Sequence, residues 1–222
     1  MQEAQPNSRL RFAETHVHFS SVSSKQRFLE LASKLGFSVL FATNGGEKAE
    51  GIEVFSRRDL EGENLSQIKK RLSEERKKAD LVAVPCMNRE VATWAARNPD
   101  VDIIYFPSLE HYKYLDNSLV KLSYEGRTAV ELSLSPLFEK EGAKRVQAFS
   151  TLRKAVTVLL EKGAVFFITR EPKTEYELRS PRSLIAVARL LGIPREAAVR
   201  AISFYPSIIL EWRGYEGVRE EA

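Results

Sequence analysis

The chain's 222 residues are 43% hydrophobic and 29% charged with a formal net charge of +4, which supports one domain with a full core and excludes a disordered or low-complexity chain. The opening residues MQEAQPNSRLR lack the apolar centre of a signal peptide and no apolar run reaches transmembrane length, so a cytoplasmic protein with no membrane partner is expected. The lone cysteine, Cys86, excludes an internal disulfide, and the mild positive excess permits a nucleic-acid partner without demanding one.

Residues 1–8 read as a flexible tail, 9–215 as a single α/β domain and 216–222 as a flexible acidic tail. β-rich runs at 11–18 and 37–42 flank a helix that opens on a capping box, Ser23 with Gln26, and turns Phe28, Leu31, Ala32 and Leu35 inward. IEVFS (52–56) follows. The next helix, about 64 to 79, sets Leu65, Ile68 and Leu72 on one side, so that KKRLSEERKK (69–78) gives it a basic outer face. Then come DLVAV (80–84), a helix over 88–97, DIIYF (102–106), a helix around 116–124 and AVELSL (129–134). A long helix carrying Phe149, Leu152, Val156, Leu159 and Leu160 leads into AVFFIT (164–169).

The last predicted helices have written starts and stops. Ser180 caps the first, Pro181 fits its first turn, and Leu184, Ile185, Val187, Ala188 and Leu191 give it a broad apolar face. Gly192 ends it, Pro194 opens the next, and Glu196 complements that helix's dipole. Phe204, Tyr205, Ile208, Ile209 and Leu210 form an apolar block too large to leave in water. Strands alternating with helices point to a mainly parallel sheet under a helical cover. Their number suits a closed barrel, with a doubly wound open sheet the rival on pattern alone.

The chemical motifs are few. THVH places His16 and His18 at the end of the first strand, where the barrel-like PHP class of metal phosphoesterases has two metal ligands, since alternate strand residues share a face. The only other histidine is His111, and Glu131, Asp80 and Asp102 are carboxylates that nothing marks as a set; no bound metal and no catalytic residue is expected. A metal phosphoesterase remains an alternative. LIAVARLLGIPREAAVRAI, with Ala188, Gly192 and Val199, is close to a helix-turn-helix, which makes a DNA-binding regulator a second alternative. Asn44-Gly45-Gly46 reads as a turn and not a phosphate cradle, and Cys86 as a buried thiol.

Two stretches together carry a family resemblance: AVELSLSPLF (129–138), a strand ending in Ser-x-x-Pro-Leu before a long helix, and RSPRSLI…GIP…AISFYPSIIL near the end. They resemble the archaeal and eukaryotic thirty-kilodalton protein subunit family of ribonuclease P, called component 3 in archaea. The resemblance implies a TIM-like, PHP-like (β/α) barrel and a polypeptide that assists a catalytic RNA in removing the 5′ leader of precursor tRNA. It also implies a partnership with the small ferredoxin-like subunit, component 2, while Mg²⁺ would act through the RNA. Arg182 matches the arginine of the family's Pro-Arg motif; Ser183 stands where relatives often have Asp. Arg170 and Arg179 lie near Arg182 at a helix N-terminus that suits phosphate. With Lys69, Lys70, Arg76 and Lys77 of the basic helix, they form the expected RNA-binding set.

Overall fold

The computed structural model describes residues 11–19, 22–43, 51–62 and 64–215; the two expected tails and the Asn44-Gly45-Gly46 turn lie outside these residues. All seven predicted strands form: β1 (Phe12–Val17), β2 (Phe37–Ala42), β3 (Glu53–Asp59), β4 (Leu81–Pro85), β5 (Ile103–Tyr105), β6 (Ala129–Ser133) and β7 (Phe166–Thr169). Each neighbouring pair is parallel, and the strands follow one another across the sheet in chain order. A parallel sheet that always adds its next strand at the same edge curls back on itself. Here β7 returns to the side of β1.

These two strands share no ladder, so the barrel is nearly closed and its seam is held by other means. The Glu14 carboxylate on β1 accepts from the Thr169 hydroxyl and, at 3.5 Å, from the Arg170 backbone N–H on β7's exit. Above it the His18 N–H donates to the Pro172 carbonyl at 3.0 Å. The open-sheet alternative is thereby removed.

Helices α1 (Val22–Leu35), α2 (Leu65–Glu75), α3 (Arg89–Ala96), α4 (Asn117–Glu125), α5 (Ser135–Glu139), α6 (Gly142–Glu161), α7 (Pro181–Leu190), α8 (Arg195–Ile202) and α9 (Phe204–Trp212) complete the chain, with 3₁₀ turns at Leu109–Tyr114 and Glu175–Glu177. Side-chain oxygens of Asn64, Asn88, Asp116 and Ser180 accept from backbone N–H groups three residues on and so cap α2, α3, α4 and α7. α1 already runs at Val22, so Ser23 stands inside the first turn, and Gln26 donates to Glu30 at 3.2 Å. α2 stops at Glu75, short of the expected 79, because the Arg76 guanidinium turns back onto the Ala79 and Asp80 carbonyls and Asp102. Gly126 ends α4 against α3: a Cβ there would meet the Ala96 carbonyl oxygen at 2.2 Å. Among the described residues no helix is long and apolar enough to cross a membrane.

Alternation along the strands divides the barrel interior. Its lower half is apolar: Ala13, Val39, Phe41, Leu81, Ala83, Ile103, Ala129 and Phe167 pack with Ile209 and Leu210 of α9. α9 therefore stoppers the end where the strands begin. Arg213, just past it, pairs with Asp102 and donates to the Pro99 carbonyl at 2.7 Å, while the Tyr215 hydroxyl donates to Asp80. Two carboxylates considered for a metal site thus tie down this lower end. Phe204, at the start of the apolar block, is instead 42% exposed.

α7 and α8 are part of the barrel wall. Leu184, Ala188, Leu191, Ala198, Ala201 and Ile202 are buried in the main core, and α8 lies across both β1 and β7. A helix-turn-helix reader needs a module free to enter a groove, which this packing denies. Truncation after Gly192 should therefore leave no folded remainder. It removes Ile202, Ile209 and Leu210, each worth about 1.5–3 kcal/mol, together with the seam's cover, from a fold whose whole margin is typically about 5–15 kcal/mol. Circular dichroism of the 1–192 fragment should show no cooperative thermal transition.

Candidate functional site

The upper half of the barrel interior is ionic. On β3 the inward sequence is Phe55, Arg57, Asp59; on β6 it is Ala129, Glu131, Ser133. Arg57 and Glu131 are each only 1% exposed. The guanidinium meets Glu131 through both terminal nitrogens, one contact at 3.1 Å, and its Nε donates to Asp59 Oδ1 at 2.7 Å. A further bond reaches the Thr15 carbonyl at 2.6 Å. That carbonyl lies where the β1–β2 register shifts between Glu14 and Val17. The irregularity re-aims β1, as bulges do near sites.

His16 completes the cluster. Its Nδ1 lies 2.7 Å from Glu131 Oε1 and 3.6 Å from Glu171 Oε1, and its Nε2 lies 2.9 Å from Asp59 Oδ2. The Nε2 approach is poorly aligned for a hydrogen bond, which makes it an ion contact. Burial and the Arg57 charge push the imidazole pKa down, but Glu131 and Asp59 outweigh them and raise it to about 9. Burial pushes both carboxylates up, and the Arg57 charge and His16 more than reverse this, holding them below their ordinary values. At neutral pH two cations thus face two anions inside the barrel. Burial raises Glu171, which sits beyond β7 in a left-handed conformation (φ 53°) with its N–H donated to the Thr169 hydroxyl at 2.9 Å.

The sequence paired His16 with His18, but the fold separates their tasks. His18 bonds Thr43 Oγ1 at 3.0 Å, and burial followed by the His16 charge lowers its pKa to about 4. His111 bonds Ser108 at 2.9 Å in a 3₁₀ turn, outside the cluster. Ligand atoms of His16, Glu131 and Glu171 do come within 4.8 Å of one another. Both Glu131 oxygens also carry the guanidinium, so an ion placed there would stand beside Arg57. Cys86 is fully buried, and desolvation pushes its thiol up, away from nucleophilic use.

The expected RNA-binding residues divide in two. Lys69, Lys70 and Lys77 are exposed on or just beyond α2, and Arg182 is exposed at the start of α7. Lys69 Nζ lies 5.8 Å from the centre of the Trp94 ring. Arg179 is half-buried, donating to the Tyr176 and Leu178 carbonyls at 2.9 and 2.8 Å, with its guanidinium 5.7 Å from the Phe138 ring. Two of the expected residues are also engaged within the fold. Arg76 is committed to Asp102 and two carbonyls, and Arg170 is buried over Phe138 with Nη1 on Ser135 at 3.0 Å and Glu139 at 3.4 Å. Arg76 ties the end of α2 to the buried Asp102, and Arg170 ties the exit of β7 to α5. Ser183 bonds the Ser180 hydroxyl at 3.0 Å, completing the cap.

A family model described as RNase P subunit p30 matches residues 12–216. The chain belongs to that family. It is 26% identical over 198 residues to ribonuclease P protein component 3 of Methanosarcina acetivorans, covering 85% of this chain and 83% of that one. With the Methanosarcina barkeri protein of the same name the identity is 28% over 190 residues, 81% and 80% of the two chains. A chain in a cryo-EM structure of archaeal ribonuclease P with mature tRNA has the same fold, with a TM-score of 0.75, 18% identity and coverage of 94% and 95%. A crystal structure of an uncharacterised protein follows at TM-score 0.57 and 11% identity, covering 95% of this chain and 77% of that one.

What sequence reasoning missed in this p30-family barrel is Arg57, Asp59, Glu171 and Glu14. The signal was present for the first two: charged residues two apart continue the inward face of a strand that the sequence reading ended at residue 56. Arg57→Met should cost about 3–5 kcal/mol by leaving two carboxylates, the buried Glu131 and the part-buried Asp59, to share His16 as their cation. Adding Glu131→Gln should recover most of it, measured by urea unfolding.

Glu14 sets a pH dependence. Burial raises its pKa from 4.5 to about 7, only partly countered by its bonds to Thr169 and Arg170. A folded-state pKa above the unfolded one gives stability that is full below pH 4.5 and lost as pH rises through 7. His16, raised from 6.5 to about 9, acts in the same direction at higher pH. Glu14→Gln should melt with the wild type at pH 4.5 and hold about 3 kcal/mol more stability at pH 8.5, since each unit is worth about 1.4 kcal/mol.

Proposed function

We propose that this chain is the ribonuclease P subunit that helps a catalytic RNA remove the 5′ leader from precursor tRNA. The match of the family model to residues 12–216 carries the reading. The barrel's chemistry supports a non-catalytic polypeptide. Its buried acids and bases are spent on one another, and its cysteine is shielded. The phosphodiester chemistry then belongs to the RNA and the Mg²⁺ it carries, while the protein supplies fixed cations that offset phosphate repulsion.

Lys69, Lys70 and Lys77 on one side of the barrel, and Arg179 and Arg182 on another, are the groups we assign to RNA phosphates. Recognition rests on backbone and shape more than sequence, as folded RNA requires. The small ferredoxin-like component 2 is the protein partner in this reading, and the complex is cytoplasmic. The test is reconstitution. Adding the chain to its ribonuclease P RNA and component 2 should accelerate leader cleavage at low Mg²⁺. The Lys69→Ala/Lys70→Ala variant should fold normally and lower the slope of log affinity against log salt by roughly one to two units. No acceleration by the wild type would overturn the reading.

A further inference from the structure

Beyond the phosphate contacts above, one groove combines apolar side chains with arginines. It runs between α7 and α8, encloses about 640 Å³, and is lined by Phe12, Pro181, Ile185, Ala186 and Val199 with Arg182, Arg189 and Arg195. Among the described residues no carboxylate lines it. All three arginines are exposed, and none has an ion-pair partner among the described residues. The cleft at the upper barrel mouth makes a useful contrast: Glu110, Glu139 and Glu171 stand among its lysines and would repel a polyanion.

Helix geometry orders the groove. Arg182 and Arg189 are seven residues apart on α7, hence on one face and about 10 Å apart along the axis, with Ile185 and Ala186 between them. Across the gap, Arg195 and Val199 share a face of α8 in the same way. The result is an apolar floor between positive rims.

We propose that this groove takes an unstacked nucleotide of the RNA, its base laid on Ile185, Ala186 and Val199 and the flanking phosphates held by Arg182, Arg189 and Arg195. A duplex offers only backbone at its surface and would leave the apolar floor unused. A nucleotide splayed from the stack presents both an apolar face and charge on either side of it. Guanidinium groups suit this site better than ammonium groups, since they pair phosphate through two nitrogens and also lie flat against a base. This inference rests on the ribonuclease P reading and adds to it a place and a kind of nucleotide.

The test uses the full chain in the reconstituted complex. Cys86 is fully buried, so a cysteine placed by Ala186→Cys can be labelled selectively with an azidophenacyl photo-crosslinker. Illumination should link it to a nucleotide that is unpaired in the ribonuclease P RNA or precursor tRNA. Arg189→Ala and Arg195→Ala should each keep the wild-type melting temperature and lower the salt slope by roughly 0.7, the single-strand value for one phosphate. Unchanged slopes in both variants, or a crosslink to paired RNA or to an acidic segment of a protein subunit, would overturn the proposal. Leader cleavage by the wild type, followed in the same reactions, separates the two ideas. Intact acceleration without the groove effects sinks the groove alone, whereas no acceleration sinks the subunit reading and the groove with it.

Discussion

Arg57 is the group on which the upper half of this barrel depends. A guanidinium taken out of water is costly unless every nitrogen finds an acceptor, and here Glu131, Asp59 and the Thr15 carbonyl supply them from three different strands. Because no two of β1, β3 and β6 are ladder neighbours, one side chain helps to set their mutual position. The carboxylates so gathered then hold His16 in its charged form. One internal cation thus gathers two carboxylates and, through them, a histidine.

The seam follows the same logic. Seven strands do not complete the ladder, and the β1 and β7 edges present backbone groups that need partners. Glu14 meets that need with a side chain, and α8 covers it with apolar surface. Burial leaves Glu14 titrating close to neutrality, a consequence of placing a carboxylate where only hydroxyl and backbone donors can reach it. The lower end has a different solution, a helical stopper tied down by Asp80 and Asp102. Outside the barrel, exposed cations stand on α2, α7 and α8.

The gross fold was legible because periodicity is a local property. Every strand and most helices could be read from spacing, turn residues and glycine, and the cap at Ser180 formed as the residues require, while α9 could be read only as an apolar block. What could not be read was the fate of charged side chains. Arg76 and Arg182 look alike in the sequence, yet one is spent on Asp102 and the other is exposed. Arg170 and Arg179 sit nine residues apart around one phenylalanine, Phe138, whose position no local pattern gives.

The sequence by itself determined an α/β chain with seven strands in a parallel order, and the resemblance of its two C-terminal stretches to the p30 family, since apolar period and turn chemistry act over a few residues. Only the tertiary structure decided that the strands close, that His16 joins Arg57, Asp59 and Glu131 while His18 turns to Thr43, and which arginines remain outside. Those outcomes depend on contacts between residues 25 to 155 positions apart, such as His18 with Thr43, Arg57 with Glu131 and Glu14 with Thr169. Coulomb and desolvation terms at such contacts are fixed by burial, and burial exists only once the barrel has formed.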